Sequence, residues 1–323
     1  MAGLPQLDVF VLNKLRCPIC RSELHANEDA FKCRNHACPG RFPIINNIPV
    51  LLNETTSLFS AQDIDPAPKT AGSLRLRLRE WVDKVLPEID INLGTRSNLL
   101  ELTRLLAGHN PNPHVLIVGG RVMGRGMQHF LSNPSIGFVE TDIAPGPRTQ
   151  LICDAQDIPF ENGTFDAVII QAVLEHVIDP YRSVEEIYRV INERGFVYAE
   201  TPFMQPVHLG RYDFTRFTHL GHRRLFRNFK EIKSGAVGGP ALAMALNTKY
   251  FLMSLVTSKA GRFGANVLSN LTLFWLKYLD YFLIERPGAY DAATGYYFLG
   301  RKSAHVLSDK ALIKQYRGCF HQI

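Results

Sequence analysis

The sequence has no apolar run long enough to cross a bilayer unbroken. Its most apolar stretch, Pro240 to Ile284, is interrupted by Asn247, Lys249, Lys277 and Asp280, whereas a span needs about twenty consecutive apolar residues. No internal repeat is visible, which sets aside solenoids and propellers. Cysteine is scarce, six in 323 residues, and no secretory leader precedes the first of them, so a disulfide framework is not expected and a reducing cytoplasm is. Charge is modest as well: 20% of residues are charged, the formal net charge is +6, and the pI is near 9.0. The basic excess is unevenly spread. Arg211, Arg216, Arg223, Arg224, Arg227, Lys230 and Lys233 crowd a short segment against Asp213 and Glu231, a bias that suits an anionic substrate, whether phosphate, sugar nucleotide or RNA, or else makes a solvated basic face. With 46% apolar residues, the chain can build one sizeable α/β domain and smaller accessory parts.

The cysteines that are present are not scattered. Cys17 and Cys20 form one pair, Cys33 and Cys38 another, with twelve residues between the pairs. Two such knuckles supply four thiolates in the tetrahedral array zinc prefers. A metal of this kind folds a segment too small to bury a core of its own. His36 stands close enough to replace Cys33 or Cys38 as fourth ligand, but an all-thiolate set is expected of a structural site. Cys153 and Cys319 belong to no pairing pattern.

Further along, Val115 to Val118 reads as a short buried strand ending at Gly119-Gly120, with Gly124 and Gly126 before a helical pattern at Met127, Phe130 and Leu131. Glycines there let backbone turn sharply and approach a ligand. A second strand, Ile136 to Thr141, ends at Asp142, placed where an acid can accept hydrogen bonds from ribose hydroxyls. Then come Cys153-Asp154-Ala155, the Pro159-Phe160 corner, Gly163-Thr164-Phe165-Asp166, and the β-branched run Val168 to Ile170 leading to Gln171-Ala172-Val173-Leu174-Glu175-His176.

This succession, from Leu151 to Pro180, resembles the centre of class I S-adenosylmethionine (SAM)-dependent methyltransferases of the type 11 group. The resemblance implies a doubly wound Rossmann-like sheet with SAM at the carboxyl ends of its strands. It further implies a donor site drawn from Gly119, Gly120, Gly124, Asp142 at the ribose, Asp154 at the adenine amine, Ala155 and Gln171. Glu175-His176 is taken with the scaffold beside the methyl donor. The first loop departs from the pattern, with Ile117 where the family usually has an acid and Arg121 where it usually has glycine. Arg121 also breaks the dinucleotide glycine motif, and a nicotinamide-dependent reading gives the Asp154 to His176 block no role. Leu12, Leu15, the four cysteines and Phe42 to Leu52 resemble the small zinc-ribbon activator that accompanies tRNA, rRNA and protein methyltransferases as a separate subunit, here fused to its enzyme.

The expected organisation is a zinc ribbon over 10–53, a mobile linker over 54–72 and a methyltransferase domain over 73–323 with a helical insertion over 240–285. The linker would let ribbon and sheet keep separate cores. Arg75, Arg77 and Arg79 are taken as the polar side of a helix. The insertion delays the last strand, Tyr296 to Lys302, and is read as a lid or a homodimer surface, with interfacial membrane contact as the alternative. On the substrate side, the residues from Glu200-Thr201-Pro202-Phe203 to Phe226 resemble methyltransferases of bacterial glycan and surface-polysaccharide pathways. His208 as general base oriented by Asp213, with Arg216 holding an anionic group, is the catalytic expectation; a structural role in caps and core bonds is the alternative for these histidines. The function expected is O-methylation of a glycan-like or other anionic small acceptor. Two alternatives stand beside it. One is an rRNA or tRNA base methyltransferase, against which counts the lack of an Asn-Pro-Pro-Tyr-like tetrapeptide; the other is a catalytically silent, partner-binding scaffold.

Overall fold

The computed structural model describes residues 7–64 and 85–319. The proposed Arg75, Arg77 and Arg79 helix face and residues 65–72 of the expected linker lie outside the described residues.

Helix α1 (Val9–Lys14) starts where the Asp8 side chain accepts the Phe10 N–H, a side-chain cap for an otherwise unpaired donor. Four short strands follow, β1 (Leu24–Ala26), β2 (Ala30–Cys33), β3 (Arg41–Ile45) and β4 (Ile48–Pro49), paired in that order in one antiparallel sheet. Asn46 and Asn47 join β3 to β4, both at positive φ (51° and 62°), the conformation two-residue hairpins need and asparagine tolerates.

The second sheet has seven strands: β5 (His114–Val118), β6 (Gly137–Asp142), β7 (Leu151–Ile152), β8 (Phe165–Gln171), β9 (Ile191–Pro202), β10 (Phe229–Gly238) and β11 (Gly295–Lys302). Their order is β10-β11-β9-β8-β5-β6-β7. The pairs β7–β6, β6–β5, β5–β8 and β8–β9 are parallel, while β11 runs antiparallel between β9 and β10. Parallel strands covered on both faces must be apolar throughout, and β8 is buried from Phe165 to Ile170. The order reverses between β5 and β8. Ligands of such sheets bind at that switch point, outside the carboxyl ends of the strands.

Helix α2 (Thr95–Ala107) precedes β5 and buries Leu99, Leu102 and Leu106. Helix α3 is only Gln128–Leu131, because Asn133-Pro134 follows and a residue before proline leaves the helical region. The expected helix N-terminus behind the glycine loop is therefore a single turn. Helix α4 (Pro180–Val190) opens with Asp179 accepting the Arg182 N–H and Pro180 in the first turn. Helix α5 (His219–Leu225) follows the β9 loop. The expected insertion is present between β10 and β11 as α6 (Pro240–Ser254), α7 (Lys259–Leu273), a 3-10 segment (Phe274–Leu279) and α8 (Asp280–Leu283). Asp280, fully buried, accepts the N–H groups of Gly239, Ala241 and Leu242 and so caps α6 from the far end of the insertion. No helix among the described residues is long and apolar enough to cross a membrane.

The expectation of separate cores is corrected, and that of a mobile linker is corrected over its described residues, 54–64. Leu15, Phe31, Phe42 and Leu51 belong to the same buried cluster as Val118, Phe160 and Ile170. Backbone joins the two parts as well: the Arg16 N–H reaches the Pro159 carbonyl at 2.9 Å and the Leu51 N–H the Ile152 carbonyl at 2.8 Å. Residues 54–64, instead of swinging free, lie on the sheet through Thr56 to Asp157 and Ser57 to Asp154, both at 2.6 Å.

Candidate active site

The four ribbon thiols gather at one point. Cys17 and Cys38 Sγ are 3.8 Å apart, Cys20 and Cys33 Sγ 3.4 Å, and all four atoms lie within 4.8 Å of one another. A tetrahedron of about 2.3 Å zinc–sulfur bonds has edges of about 3.8 Å, so the cluster has the size a zinc ion needs. None of the cysteines is paired in a disulfide.

At the switch point of the large sheet, Gly119 (φ +85°) and Gly120 turn away from β5 and receive support from the Thr141 carbonyl. A Cβ at Gly119 would fall 2.2 Å from Val173 Cγ2, and one at Gly124 only 1.8 Å from Gln171 Oε1. Glycine is thus required here by close approach, not by composition alone. The crevice they line with Val118, Met127 and Gln171 has room for little more than a water, about 10 Å³. A nucleoside needs a pocket of a few hundred Å³, far more than this crevice offers. Asp142 ends β6 with Oδ2 accepting the Arg121 N–H and Oδ1 the Ala144 N–H, both at 3.0 Å. Burial lifts its carboxyl above the usual range, against those two bonds. Asp154, also buried, accepts from Ser57 on one oxygen and from the Gln156 backbone and side chain on the other. Ala155 is buried beside it. Gln171, at the end of β8, donates Nε2 to Glu200 at 2.8 Å and leaves Oε1 buried without a partner.

Glu200 was not singled out as a site residue, yet it organises this floor. Its carboxylate accepts from Thr95, Tyr198, Asn92 and Gln171, and burial raises its pKa. Four neutral donors without a cation are an arrangement no local spacing reveals.

The acceptor side shows a different pairing from the one expected. Arg216 grips both oxygens of Asp213, which also accepts the His208 N–H at 2.8 Å. Burial pushes the Asp213 carboxyl up, but these bonds outweigh it and hold it below the usual range. Arg216 also donates to the Gln205 carbonyl, so it is an internal brace and not a free anion holder. His208 Nδ1 lies 3.5 Å from Asp213 Oδ2, too far for a good hydrogen bond. Its Nε2 turns instead toward His176 Nε2 at 3.2 Å and Glu175 Oε1 at 3.4 Å. The closeness of Glu175 raises the His208 pKa, while burial works the other way. Sequence reasoning assigned Glu175-His176 to scaffold; only the fold, which returns the β9 loop over the β8 end, brings them to His208.

Part of the basic run is engaged within the fold. Arg223 pairs with Glu231, Arg224 and Arg227 with Asp309, and Lys233 lies over the Tyr297 ring. His219 and His222 are buried and held low by that burial, near about 4 and about 3.

Residues 126–199 match the family described as "Methyltransferase domain". No curated protein matches the chain. Among solved structures it is similar to Haemonchus contortus phosphoethanolamine N-methyltransferase 2, solved with phosphomonomethylethanolamine and S-adenosylhomocysteine, at 15% identity and a TM-score of 0.42 over 71% of this chain and 57% of that one. It is also similar to the cyclase SpnF (14%, 0.40, covering 71% and 93%). A third is a Haloferax volcanii complex of a methyltransferase activator with a methyltransferase (16%, 0.37, covering 65% and 92%). The family match covers β6 to β8 and part of β9, and the sheet that continues it has β11 running antiparallel between β9 and β10. The chain spans 57% of the length of the first of these structures.

Proposed function

We propose that the protein transfers the methyl group of SAM to an oxygen of a small acceptor of glycan-like or otherwise anionic character. The observation that carries the reading is the placement of two groups past the carboxyl ends of parallel strands: the glycine loop after β5 and Asp142 at the end of β6, and Glu175 and His176 just past β8 with His208 against them. Methyl transfer from a sulfonium is an in-line displacement, so positioning does most of the work, and a proton acceptor matters only as the acceptor hydroxyl loses its proton. In this reading Asp142 holds the ribose, Asp154 the adenine amine, with Ser57 sharing its oxygen, and Gly119, Gly120 and Gly124 the donor's approach. Ala155 and Gln171 complete the pocket wall. His208 handles the proton. Asp213 and Arg216 keep it in place through the His208 backbone, which makes them positioning residues. The ribbon holds zinc at Cys17, Cys20, Cys33 and Cys38 in a structural role. The insertion serves as a lid, supported by Asn247 donating to the Met204 carbonyl of the acceptor loop.

The test is incubation of the full chain with isotopically labelled SAM and fractionated cell extract, glycans and RNA kept apart, followed by mass spectrometry. Label on a glycan or small-molecule oxygen is expected. Label confined to RNA bases, or absent from every fraction while SAM binds, overturns the acceptor assignment.

A further inference from the structure

We propose that Glu175, His176 and His208 form a binding site for a divalent transition-metal-type cation, of the two-histidine, one-carboxylate kind, on the acceptor side of the donor crevice. Three observations converge. The first is distance. The three pairs, His176 Nε2 to His208 Nε2, His208 Nε2 to Glu175 Oε1 and His176 Nε2 to Glu175 Oε1, measure 3.2, 3.4 and 3.7 Å. The point equidistant from all three lies about 2.0 Å from each, and zinc bonds nitrogen and carboxylate oxygen at about 2.0–2.2 Å.

The second is the state of Glu175. It is fully buried, and neither carboxylate oxygen has a hydrogen-bond partner. A buried carboxylate without donors is costly unless a cation faces it. Arg216 does not reach it, being spent on Asp213. The third is orientation. His176 donates Nδ1–H to the Tyr212 carbonyl at 2.7 Å, and His208 Nδ1 faces Asp213 Oδ2 at 3.5 Å. His176 is held as metal-binding histidines are, one ring nitrogen tied to a carbonyl so that the other presents its lone pair, whereas His208 Nδ1 makes no hydrogen bond and its ring is placed by the Asp213 bond to its backbone N–H. The Phe214 N–H, bonded to the Glu175 carbonyl at 2.8 Å, fixes the two loops against each other.

Two nitrogens and one oxygen suit zinc, manganese or ferrous-type cations better than magnesium or calcium, which prefer all-oxygen shells. The His208 side chain is 34% exposed and that of Glu175 0%, so a cation here is backed by protein on one side and reachable from the other. Its remaining positions would take oxygen atoms of the acceptor, a hydroxyl with a neighbouring oxygen above all. That role, though not the binding itself, rests on the methyltransferase reading. A cation and a proton compete for the same Nε2 of His208. In the metal-bound state the histidine would be a ligand and the cation would lower the pKa of a bound hydroxyl.

The experiment is calorimetric titration of Mn²⁺ and of Zn²⁺ into the full-length protein carrying its ribbon zinc, with SAM titrated into the same preparations. The wild type is expected to take up one cation beyond the ribbon's. His176→Ala, His208→Ala and Glu175→Gln should each weaken that binding at least tenfold, with ribbon zinc still at one equivalent. His208→Ala removes a partly exposed ring, so its melting temperature should stay near wild type and keep the comparison valid if Glu175→Gln folds poorly. A flat titration of the wild type with both metals, or His176→Ala and His208→Ala binding like wild type, overturns the site and leaves a protonated His208 as the partner of Glu175. Failure of SAM to bind would instead strike the methyltransferase reading, and the cation result would stand by itself.

Discussion

Cys17→Ser should unfold much more than the ribbon. Four thiolates hold zinc with an apparent free energy of roughly 10–16 kcal/mol, and losing one ligand forfeits most of it. What the ribbon then releases is not only its own small sheet. Leu15, Phe31, Phe42 and Leu51 are each at most 4% exposed and pack in the cluster that contains Val118, Phe160 and Ile170. Burying such a side chain contributes about 1.5–3 kcal/mol, so removing the four costs on the order of 6–12 kcal/mol, comparable to the whole stability of an ordinary domain. The opened ribbon would also withdraw Ser57 from Asp154 and Thr56 from Asp157, loosening the donor pocket. Differential scanning calorimetry of the wild type should therefore show one transition, moved down strongly by Cys17→Ser or by a chelator, with SAM affinity falling in parallel. Two transitions, the upper one untouched by chelator, would refute the shared core and restore two independently folding parts.

Asp142→Ala should cost about 1.5–3 kcal/mol of SAM affinity, the value of a charge-assisted hydrogen bond, and Asp154→Ala a similar amount; calorimetry showing both unchanged removes them from the donor site. Asp280→Ala strips three backbone N–H groups of their acceptor and should destabilise the chain by about 3 kcal/mol or more, read as a fall in the urea midpoint. Burial holds His219 near about 4 and His222 near about 3, below the unfolded value of about 6.5. The unfolded chain therefore takes up protons first, and the stability these neutral histidines contribute, full above pH 6.5, is lost as pH falls toward those values. The slope reaches at most about 1.4 kcal/mol per pH unit for each histidine. His222→Gln should flatten the decline between pH 6.5 and 5 in denaturant titrations.

The sheet was legible because its strands carry their own signal. β8 is apolar on every residue from Ala167 to Ile170, as a strand covered on both faces must be, and Asp142 and Gly119 stand where such strands end. The cysteine spacing was legible for a similar reason: two knuckles at short range fix the chemistry locally. The length of the insertion obscured the pairing of β10 with β11, since a connection of more than fifty residues leaves no short-range hint that two strands meet. What sequence could not yield were meetings between segments far apart in the chain. Ser57 reaches Asp154 across 97 residues and His208 reaches His176 across 32. Asp213 sits five residues from His208, and that nearness suggested a catalytic pair. In the fold Arg216 takes the carboxylate, because a bidentate guanidinium binds a carboxylate better than a neighbouring imidazole can at 3.5 Å. The histidine is left to turn its other nitrogen toward a buried glutamate whose partners no spacing rule names. Proximity in sequence thus found the contact of Asp213 with His208, through its backbone N–H, but not Glu175 and His176, which face the other ring nitrogen, while the residue itself follows β9, whose carboxyl end topology places at the crevice.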